Sequence, residues 1–324
     1  MRVRMGIGCS CYILHDPLSG RRDVAGSLFP AEDELDEILV GPESVTWQRV
    51  SDARLNFVML YPLLLQVAHP TVGAGVRDYS DFETDPWSRL RATADYLTLL
   101  VYGGRDAIAA GRRLRALHRR FRGVREDGKP YHALDPGAYA WVHATLVQGY
   151  VAGHAHFGTP MGSEELERFY REYRGLGRLI GVRERDLPPD WDGFRKYLER
   201  TAAHDLLPTE AMEQVLRVAR RPARPPMPLP GLVWRTMAIP AARAFWLGGA
   251  GLLGGALRTR LGIGWSLIDE VQFQALGTLC RSLTPILPER VRITGPNQLR
   301  WRRDAIARGP LGGGSPEASR SRAV

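Results

Sequence analysis

The chain has 324 residues, of which 44% are hydrophobic, a composition typical of a packed, enzyme-sized globular protein and unlike that of a disordered one. Its formal net charge is +9, but Lys129 and Lys196 are its only lysines, and residues 300–324 alone carry a net +4. Because much of the excess charge lies in this C-terminal segment and no nucleic-acid-binding signature is present, we expect no nucleic-acid partner.

Helical periodicity dominates the chain, and alternating strand patterns are scarce. The Asp-Pro pairs at 85–86 and 135–136 are typical helix starts, whereas Pro70 and the glycine pair at 103–104 are typical helix ends. The pattern predicts helices at 32–39, 51–69, 86–102, 105–122, 136–157, 163–176, 191–203, 209–220 and 265–282. The sequence therefore predicts an all-α fold with one large helical domain.

The ends and one internal stretch differ in composition from this helical domain, which we place at 31–305. Residues 1–30 are predicted to be irregular, 306–324 to be a disordered tail, and the proline-rich run RPARPPMPLPG at 221–231 to be an extended connector. No sustained apolar core marks residues 1–30 as a secretory signal, so we expect a cytoplasmic protein.

One run, MAIPAARAFWLGGAGLLGGAL at 237–257, has the apolar character of a membrane segment. It is rich in glycine and contains Pro240 and Arg243, which disfavour a spanning helix. We interpret it as a buried or interfacial helical hairpin, and peripheral contact with a membrane stays open.

The segment RRLRALHRRFRG at 112–123 contains the most suggestive histidine. With helical spacing, His118 shares an apolar face with Leu114 and Phe121. Arg115 lies three residues before it and Arg122 four after, which would bring two guanidinium groups close to a bound carboxylate. A core histidine beside ordinary solvated arginines would give the same pattern, and both interpretations stay open.

Two further groups of polar residues are candidates on helical spacing alone. Arg89 and Thr93 are four apart and share a helix face, although a threonine within a helix usually bonds to its own preceding turn. His69 precedes Pro70 at the end of a predicted helix, where a cation is favoured, so a capping role and a site role are both open. His143 and His154 lie on nearly one face of helix 136–157.

No standard catalytic signature declares the chemistry, since the sequence lacks a P-loop, a G-x-S-x-G elbow and an H-E-x-x-H pair. Five motifs taken in order are more informative: LLLQVAHPTVGAGVRDYSDFETDPWSRLRATADYL, LHRRFRG, YHALDPGAYAWVHATL, LIGV and LP. Over roughly residues 40–300 this ordered set resembles the domain shared by the rubber oxygenases, or latex-clearing proteins, and the oxygenase MpaB. The resemblance implies a helical, globin-like core and O2-dependent cleavage of an isoprenoid carbon–carbon double bond.

The rubber oxygenases hold a b-type haem through a proximal histidine, and the resemblance implies the same cofactor here. His118 best matches that ligand, with Arg115 and Arg122 at the family's spacing, and Arg89 and Thr93 match an arginine–threonine pair near the haem.

The family's proposed catalytic glutamate and lysine have no counterpart here, because their places fall near Gly73 and at Ala92. His69 is the nearest polar substitute. A small lipid or terpenoid is therefore a more plausible substrate than rubber.

These observations together predict a haem-dependent oxygenase that acts with O2 on a small, apolar, isoprenoid-like substrate. One alternative is a non-haem metal enzyme of the same family, with the metal held by His118 and by His143 or His154. Another is a non-catalytic helical protein that binds lipid or haem. The sequence does not predict the oligomeric state.

Overall fold

A computed structural model describes residues 28–220, 223–224, 230–297 and 299–300 of the chain. Helices dominate these residues: α1 Leu35–Ile38, α2 Val45–Val50, α3 Leu60–Val67, α4 Pro70–Tyr79, α5 Pro86–Tyr102, α6 Asp106–His118, α7 Pro136–Phe157, α8 Ser163–Leu179, α9 Trp191–His204, α10 Glu210–Arg220, α11 Gly231–Ala250, α12 Gly255–Arg260, α13 Leu267–Leu283 and α14 Glu289–Arg292. Short 3-10 helices span Glu32–Glu34, Ala53–Val58, Glu184–Asp186, Gly251–Leu253 and Thr284–Ile286. Strands β1 (Arg122–Val124) and β2 (Pro130–His132) form a small antiparallel hairpin. The predicted all-α fold is confirmed, while the globin-like arrangement of its core stays a prediction.

Helix α7 is central to the core, where it contacts α3, α4, α8 and α13. It begins at a strong N-cap, since the Asp135 carboxylate accepts a hydrogen bond from the Ala138 amide at 2.9 Å and Pro136 occupies the first helical position. Its buried residues include Trp141, Tyr150 and Phe157 and lie on every side of the helix. A helix that is apolar all round is stable only when neighbours cover all its faces.

Helices α5 and α6 pack against each other beside α7 and α8. The Asp85 carboxylate caps α5 by accepting from the Ser88 amide at 3.1 Å, and the helix ends before Gly103. Gly104 then adopts a φ of 56°, a left-handed conformation that glycine tolerates best, and the chain reverses into α6. The predicted bounds 86–102 and 136–157 match those of α5 and α7.

The predicted single helix at 51–69 is wrong. The chain forms the 3-10 helix Ala53–Val58, then α3, and Pro70 starts α4 instead of ending a helical region. Proline fits the first turn of a helix because the amide hydrogen that it lacks has no partner there. The sequence analysis also missed α2 and α4.

The predicted helix at 105–122 extends too far, because α6 ends at His118. Arg122 instead begins β1, where it pairs with His132 of β2. The sequence of the basic segment does not reveal where the helix ends and the strand begins, because arginine is compatible with both a helix and a strand.

The predicted helical hairpin at 237–257 is also wrong in detail. Helix α11 runs through Pro240 to Ala250, and a 3-10 turn and the short α12 follow. Within the described residues no one helix combines the length and apolar character needed to cross a membrane, and only the sharply bent pair Ala53–Val67 and Pro70–Tyr79 passes that test jointly. The predicted tail at 306–324, most of the connector at 221–231 and residues 1–27 lie outside the described residues.

Candidate functional site

His118 is the last residue of α6, and it lies half-buried against two aromatic rings. Its imidazole centroid is 5.4 Å from that of Phe121 and 5.9 Å, edge to face, from that of Tyr139 on α7. The sequence analysis predicted this inward orientation, and the structure agrees although Phe121 lies beyond the helix end.

The His118 ring is uncharged at neutral pH. Burial lowers the pKa of His118 from its ordinary 6.5 to about 4, and the positive charges of Arg89 and Arg115 lower it further. Its Nδ1 atom is buried without a hydrogen-bond partner, and Nε2 forms no hydrogen bond with the described residues and is less enclosed. A neutral imidazole with an uncommitted Nε2 is the form that binds a metal ion.

Arg89, on α5, lies close enough to His118 for its charge to lower the pKa of that imidazole. We use the name His118 recess for the surroundings of His118, Arg89, Arg115, Tyr96 and Tyr139. The residue is exposed, yet the protein around its guanidinium desolvates it and lowers its pKa, against the opposing charge of Asp81. Arg89 forms no ion pair with the described residues. An exposed guanidinium that has no ion pair with the described residues is available to an anionic ligand.

Thr93 is exposed one turn after Arg89, and its hydroxyl donates to the Arg89 carbonyl oxygen at 3.0 Å. This bond is the usual one for a threonine within a helix, and no contact joins the Thr93 hydroxyl to the Arg89 guanidinium. The structure therefore places the pair on one face of α5 without a direct side-chain interaction.

Arg115 and Arg122, predicted as a matched pair, are in different environments. The Arg115 guanidinium lies 5.6 Å from the centre of the Tyr139 ring, and burial lowers the pKa of Arg115, with Tyr139 opposing and Arg119 reinforcing that shift. Arg122 is exposed on β1, so the helical spacing that related it to His118 does not hold. Arg115 therefore remains beside His118 and Tyr139, whereas the predicted helical relation of Arg122 to His118 is wrong.

The sequence analysis missed Tyr96 and Tyr139. Each phenolic oxygen is buried and has no hydrogen-bond partner in the described part of the chain. Burial raises the pKa of Tyr139 to about 12 and that of Tyr96 as well, and the two phenols interact electrostatically. Tyr96 follows Arg89 by seven residues on the same face of α5, a spacing that could have identified it. With respect to the described residues, one buried polar atom on each of Tyr96, Tyr139 and His118 has no hydrogen-bond partner.

His69 lies elsewhere and does not contact His118. It is the N-cap residue of α4, and its ring centroid is 6.5 Å from that of Trp141. The sequence predicts that His69 lies at a helix end, where a positive charge is favoured. In the structure burial lowers the pKa of His69, and the negative charges of Asp205 and Asp135 only partly offset this shift. Burial therefore favours the neutral ring, and Nδ1 is buried without a hydrogen-bond partner among the described residues.

His143 and His154, the candidate partners of a non-haem metal, each bond to a backbone carbonyl. His143 Nε2 donates to the Tyr173 oxygen at 2.8 Å and His154 Nε2 to the Arg49 oxygen at 2.8 Å. Within the described residues no group of three histidine, cysteine or acidic side chains has the geometry to hold a metal ion. Both histidines are explained by core packing.

The buried His143 makes stability sensitive to acid. Burial lowers the pKa of His143 from 6.5 to about 4, partly opposed by its bond to Tyr173, so below pH 6.5 the unfolded chain binds more protons than the folded one. The stabilisation is complete above pH 6.5 and is lost as the pH falls towards 4. We expect wild type to lose up to roughly 3 kcal/mol more unfolding free energy across this window than His143→Gln, measured by urea denaturation at successive pH values. Equal pH slopes in the two proteins would contradict this.

Gly111 sets how closely α6 approaches α8, and it lies four and seven residues before Arg115 and His118 on the same helix. A Cβ atom at Gly111 would overlap the Leu179 carbonyl oxygen, which is backbone and cannot rotate away. We expect Gly111→Ala to lower the free energy of unfolding by about 1–3 kcal/mol, despite a helix-propensity gain of about 1 kcal/mol.

Gly175→Ala in α8 is the matched control for Gly111→Ala. A Cβ at Gly175 makes only an ordinary contact, 3.9 Å from Ile38 Cγ2, so we expect its stability to rise by about 0.4–1 kcal/mol. Urea denaturation measures both variants, and a stabilised Gly111→Ala protein would show that the contact is not tight.

An apolar cavity of about 330 Å³ lies across α7 from the His118 recess. Trp141 and Gln148 line it, and Trp141 is two residues, or about 200° around the helix, from Tyr139. Its other lining residues are Tyr61, Leu65, Leu198, Glu199, Ala202 and Leu253 to Leu257. The cavity is therefore separate from the recess.

Comparison with known proteins gives one match. The model of the family described as ER-bound oxygenase mpaB/B'/Rubber oxygenase, catalytic domain, matches residues 47–282. No curated protein and no solved structure matched the chain. The matched range covers well over half of the sequence and includes the whole His118 recess. The chain belongs to this oxygenase family, and it is an oxidoreductase that uses O2 and a small substrate.

Proposed function

We propose that this oxygenase binds a b-type haem through His118 and oxidises or cleaves a small, apolar, isoprenoid-like substrate. The observation that carries the proposal is a desolvated, uncharged imidazole beside the guanidinium groups of Arg89 and Arg115. Among the described residues, its Nε2 has no hydrogen-bond partner and neither guanidinium has an ion pair.

The residues of the recess fit a haem in charge and in hydrogen-bonding capacity. His118 Nε2 would bind the iron, and the guanidinium groups of Arg89 and Arg115 would neutralise the two propionates. The buried phenols of Tyr96 and Tyr139 supply two further hydrogen-bonding groups that have no partner in the described protein. One feature departs from the usual arrangement, since Nδ1 of His118 lacks the acceptor that commonly orients a metal-bound histidine.

A bound haem would supply the activation of O2, and the side chains around it would control charge and access. Burial keeps the His118 imidazole neutral, and the positive charge of Arg89 beside it acts in the same direction. The Thr93 hydroxyl already donates to a carbonyl, so it can offer only its lone pairs to a ligand.

One observation supports an apolar substrate, and a second argues against an acid/base group of the kind proposed for the rubber oxygenases. Leu90 and Leu117, next to Arg89 and His118 in the chain, are exposed apolar side chains. The resemblance places the family's glutamate near Gly73, where a Cβ atom would lie 2.5 Å from the Val67 carbonyl oxygen and 2.9 Å from Thr209 Oγ1. A larger side chain would not fit there, so an acid/base group at this position is not part of the mechanism that we propose.

Oxygen consumption tests the proposal. The haem-loaded protein is placed in an oxygen electrode with a short polyprenyl substrate, and we expect uptake that depends on both protein and substrate, with carbonyl products detected by hydrazone formation. Colourless protein that carries stoichiometric iron or manganese would instead identify a non-haem member of the family. Protein that holds haem but consumes no O2 with any polyprenyl substrate would contradict the proposed substrate class.

A further inference from the structure

We propose that an acidic one-electron carrier protein docks on the surface around Tyr79 and delivers its electron to haem iron through Phe121 and His118. This inference rests on the proposed function, because it names a protein partner for the same site. We call the surface the Tyr79 face and define it by the exposed residues Tyr79, Leu117, Arg119, Arg120 and Arg122.

Three aromatic rings in contact connect the Tyr79 face with the His118 recess. Tyr79, the last residue of α4, stacks on Phe121 with 4.3 Å between the ring centroids and 11° between the ring planes. The centroid of Phe121 is in turn 5.4 Å from that of the His118 imidazole. The Tyr79 hydroxyl donates to the Arg122 carbonyl oxygen at 2.9 Å, which holds the phenol in place. A partly exposed phenol is therefore separated from the proposed iron ligand by one intervening ring.

Positive charge without ion pairs surrounds these rings. Residues 107–125, all of them described, contain seven arginines and no acidic residue. Among the described residues, Arg125 pairs with Asp127, and the other six arginines form no ion pair. Those on the Tyr79 face are Arg119, Arg120 and Arg122. Exposed arginines of this kind attract an acidic protein surface and accelerate its association.

The Tyr79 face also has the composition of a protein interface. Tyr79 and Leu117 are each 38% exposed, so apolar side-chain surface lies among the arginines. Tyrosine and arginine are enriched in the residues that contribute most to binding between proteins. Asp78, next to Tyr79, pairs with Arg77 at 2.8 Å, so this carboxylate is already engaged.

Two other occupants fit the Tyr79 face less well. A second copy of the chain in a two-fold dimer would bring the arginines of both copies close together, and their repulsion would oppose the contact. A nucleic acid would complement the arginines, but it makes no use of the ring contacts that lead to His118. A redox protein with an acidic surface uses both features.

The proposed step moves one electron and no atoms. The reduced carrier loses one electron, ferric iron held at His118 becomes ferrous, and no covalent bond forms or breaks. Such a reduction prepares haem for the oxygenase reaction, because O2 binds to ferrous iron.

Binding of carrier proteins tests the docking surface and requires no haem. The probes are a plant-type ferredoxin and a flavodoxin, both acidic, and biolayer interferometry measures their affinity for the full-length protein at low and at high salt. We expect binding that weakens with salt, and Arg119→Glu/Arg120→Glu to lower the affinity at least about tenfold. Arg171→Glu/Arg290→Glu is the control with the same change in charge, made at exposed arginines of α8 and α14, and it should bind as wild type does.

Four outcomes of the binding measurement would overturn the docking surface. They are no binding of either carrier to wild type, equal loss of affinity in the two variants, a short DNA duplex that binds more tightly than both carriers, and a wild-type dimer that Arg119→Glu/Arg120→Glu dissociates. The substituted side chains are exposed, so circular dichroism should show an unchanged fold.

Anaerobic stopped-flow reduction of the haem-loaded protein tests the path through the rings. With saturating reduced ferredoxin, we expect ferrous haem, trapped with carbon monoxide, to form more slowly in Tyr79→Leu than in Tyr79→Phe or wild type, because only leucine removes the stacked ring. Dithionite should reduce all three proteins at the same rate. Equal rates with ferredoxin would overturn the path through Tyr79. A protein that binds the carriers but takes up no haem would refute the proposed cofactor and the electron path with it, while the binding measurement would still support the docking surface.

Discussion

His118→Ala is expected to lower the affinity of the protein for haem at least about 100-fold and to abolish substrate-dependent O2 uptake. His118 presents the only described imidazole that combines an unbonded Nε2 with two neighbouring guanidinium groups, so its removal leaves the recess without an iron ligand. Haem titration followed by visible absorption measures the affinity, and an oxygen electrode measures the uptake.

His204→Ala is the matched control, because His204 is exposed at the end of α9, away from the recess. It should bind haem as wild type does. His118→Gly with added imidazole provides a second check, since free imidazole should restore part of the absorption if the lost group acted as a ligand. A His118→Ala protein with wild-type affinity and no response to imidazole would rule out the assignment.

Trp141→Ala is expected to lower the free energy of unfolding by about 3–5 kcal/mol. The indole is almost fully buried on α7, packs edge to face with Tyr197 at 6.0 Å, and its Nε1 donates to the Leu65 carbonyl oxygen at 2.9 Å. Truncation would enlarge the neighbouring cavity and leave that oxygen without this bond. Urea denaturation of the haem-free protein measures the change.

Trp141→Phe divides the effect of Trp141→Ala into packing and hydrogen bonding. It keeps an aromatic ring but loses the indole donor, so we expect an intermediate cost of about 1–3 kcal/mol. A loss below 1 kcal/mol in Trp141→Ala would mean that the cavity collapses around the smaller side chain and that α7 is not anchored here.

The helices that the sequence located best begin and end at local signals. Helices α5 and α7 start at Asp-Pro pairs whose carboxylates cap them, so no tertiary information was needed. The predicted helix end at Pro70 is wrong because proline is compatible with the start of a helix as well as with its end. Here Pro70 starts α4, which packs against α3 and α10.

The sequence predicted those residues of the candidate site that the pattern of a single helix identifies. The apolar face of α6 identified His118 and Arg115, and the face of α5 identified Arg89. Tyr139 joins them through the packing of α7 beside α6, a contact between distant parts of the chain that periodicity cannot supply. Arg122 was assigned to the site because the basic segment was read as one continuous helix, whereas the chain turns into β1.

The central claim is that His118 binds a haem, and the visible spectrum with metal analysis of the purified full-length protein tests it most directly. We expect a Soret band, one haem iron per chain, and loss of both in His118→Ala but not in His204→Ala. A haem-loaded His118→Ala protein with the wild-type spectrum, or a wild-type protein that does not take up haem, would contradict the claim.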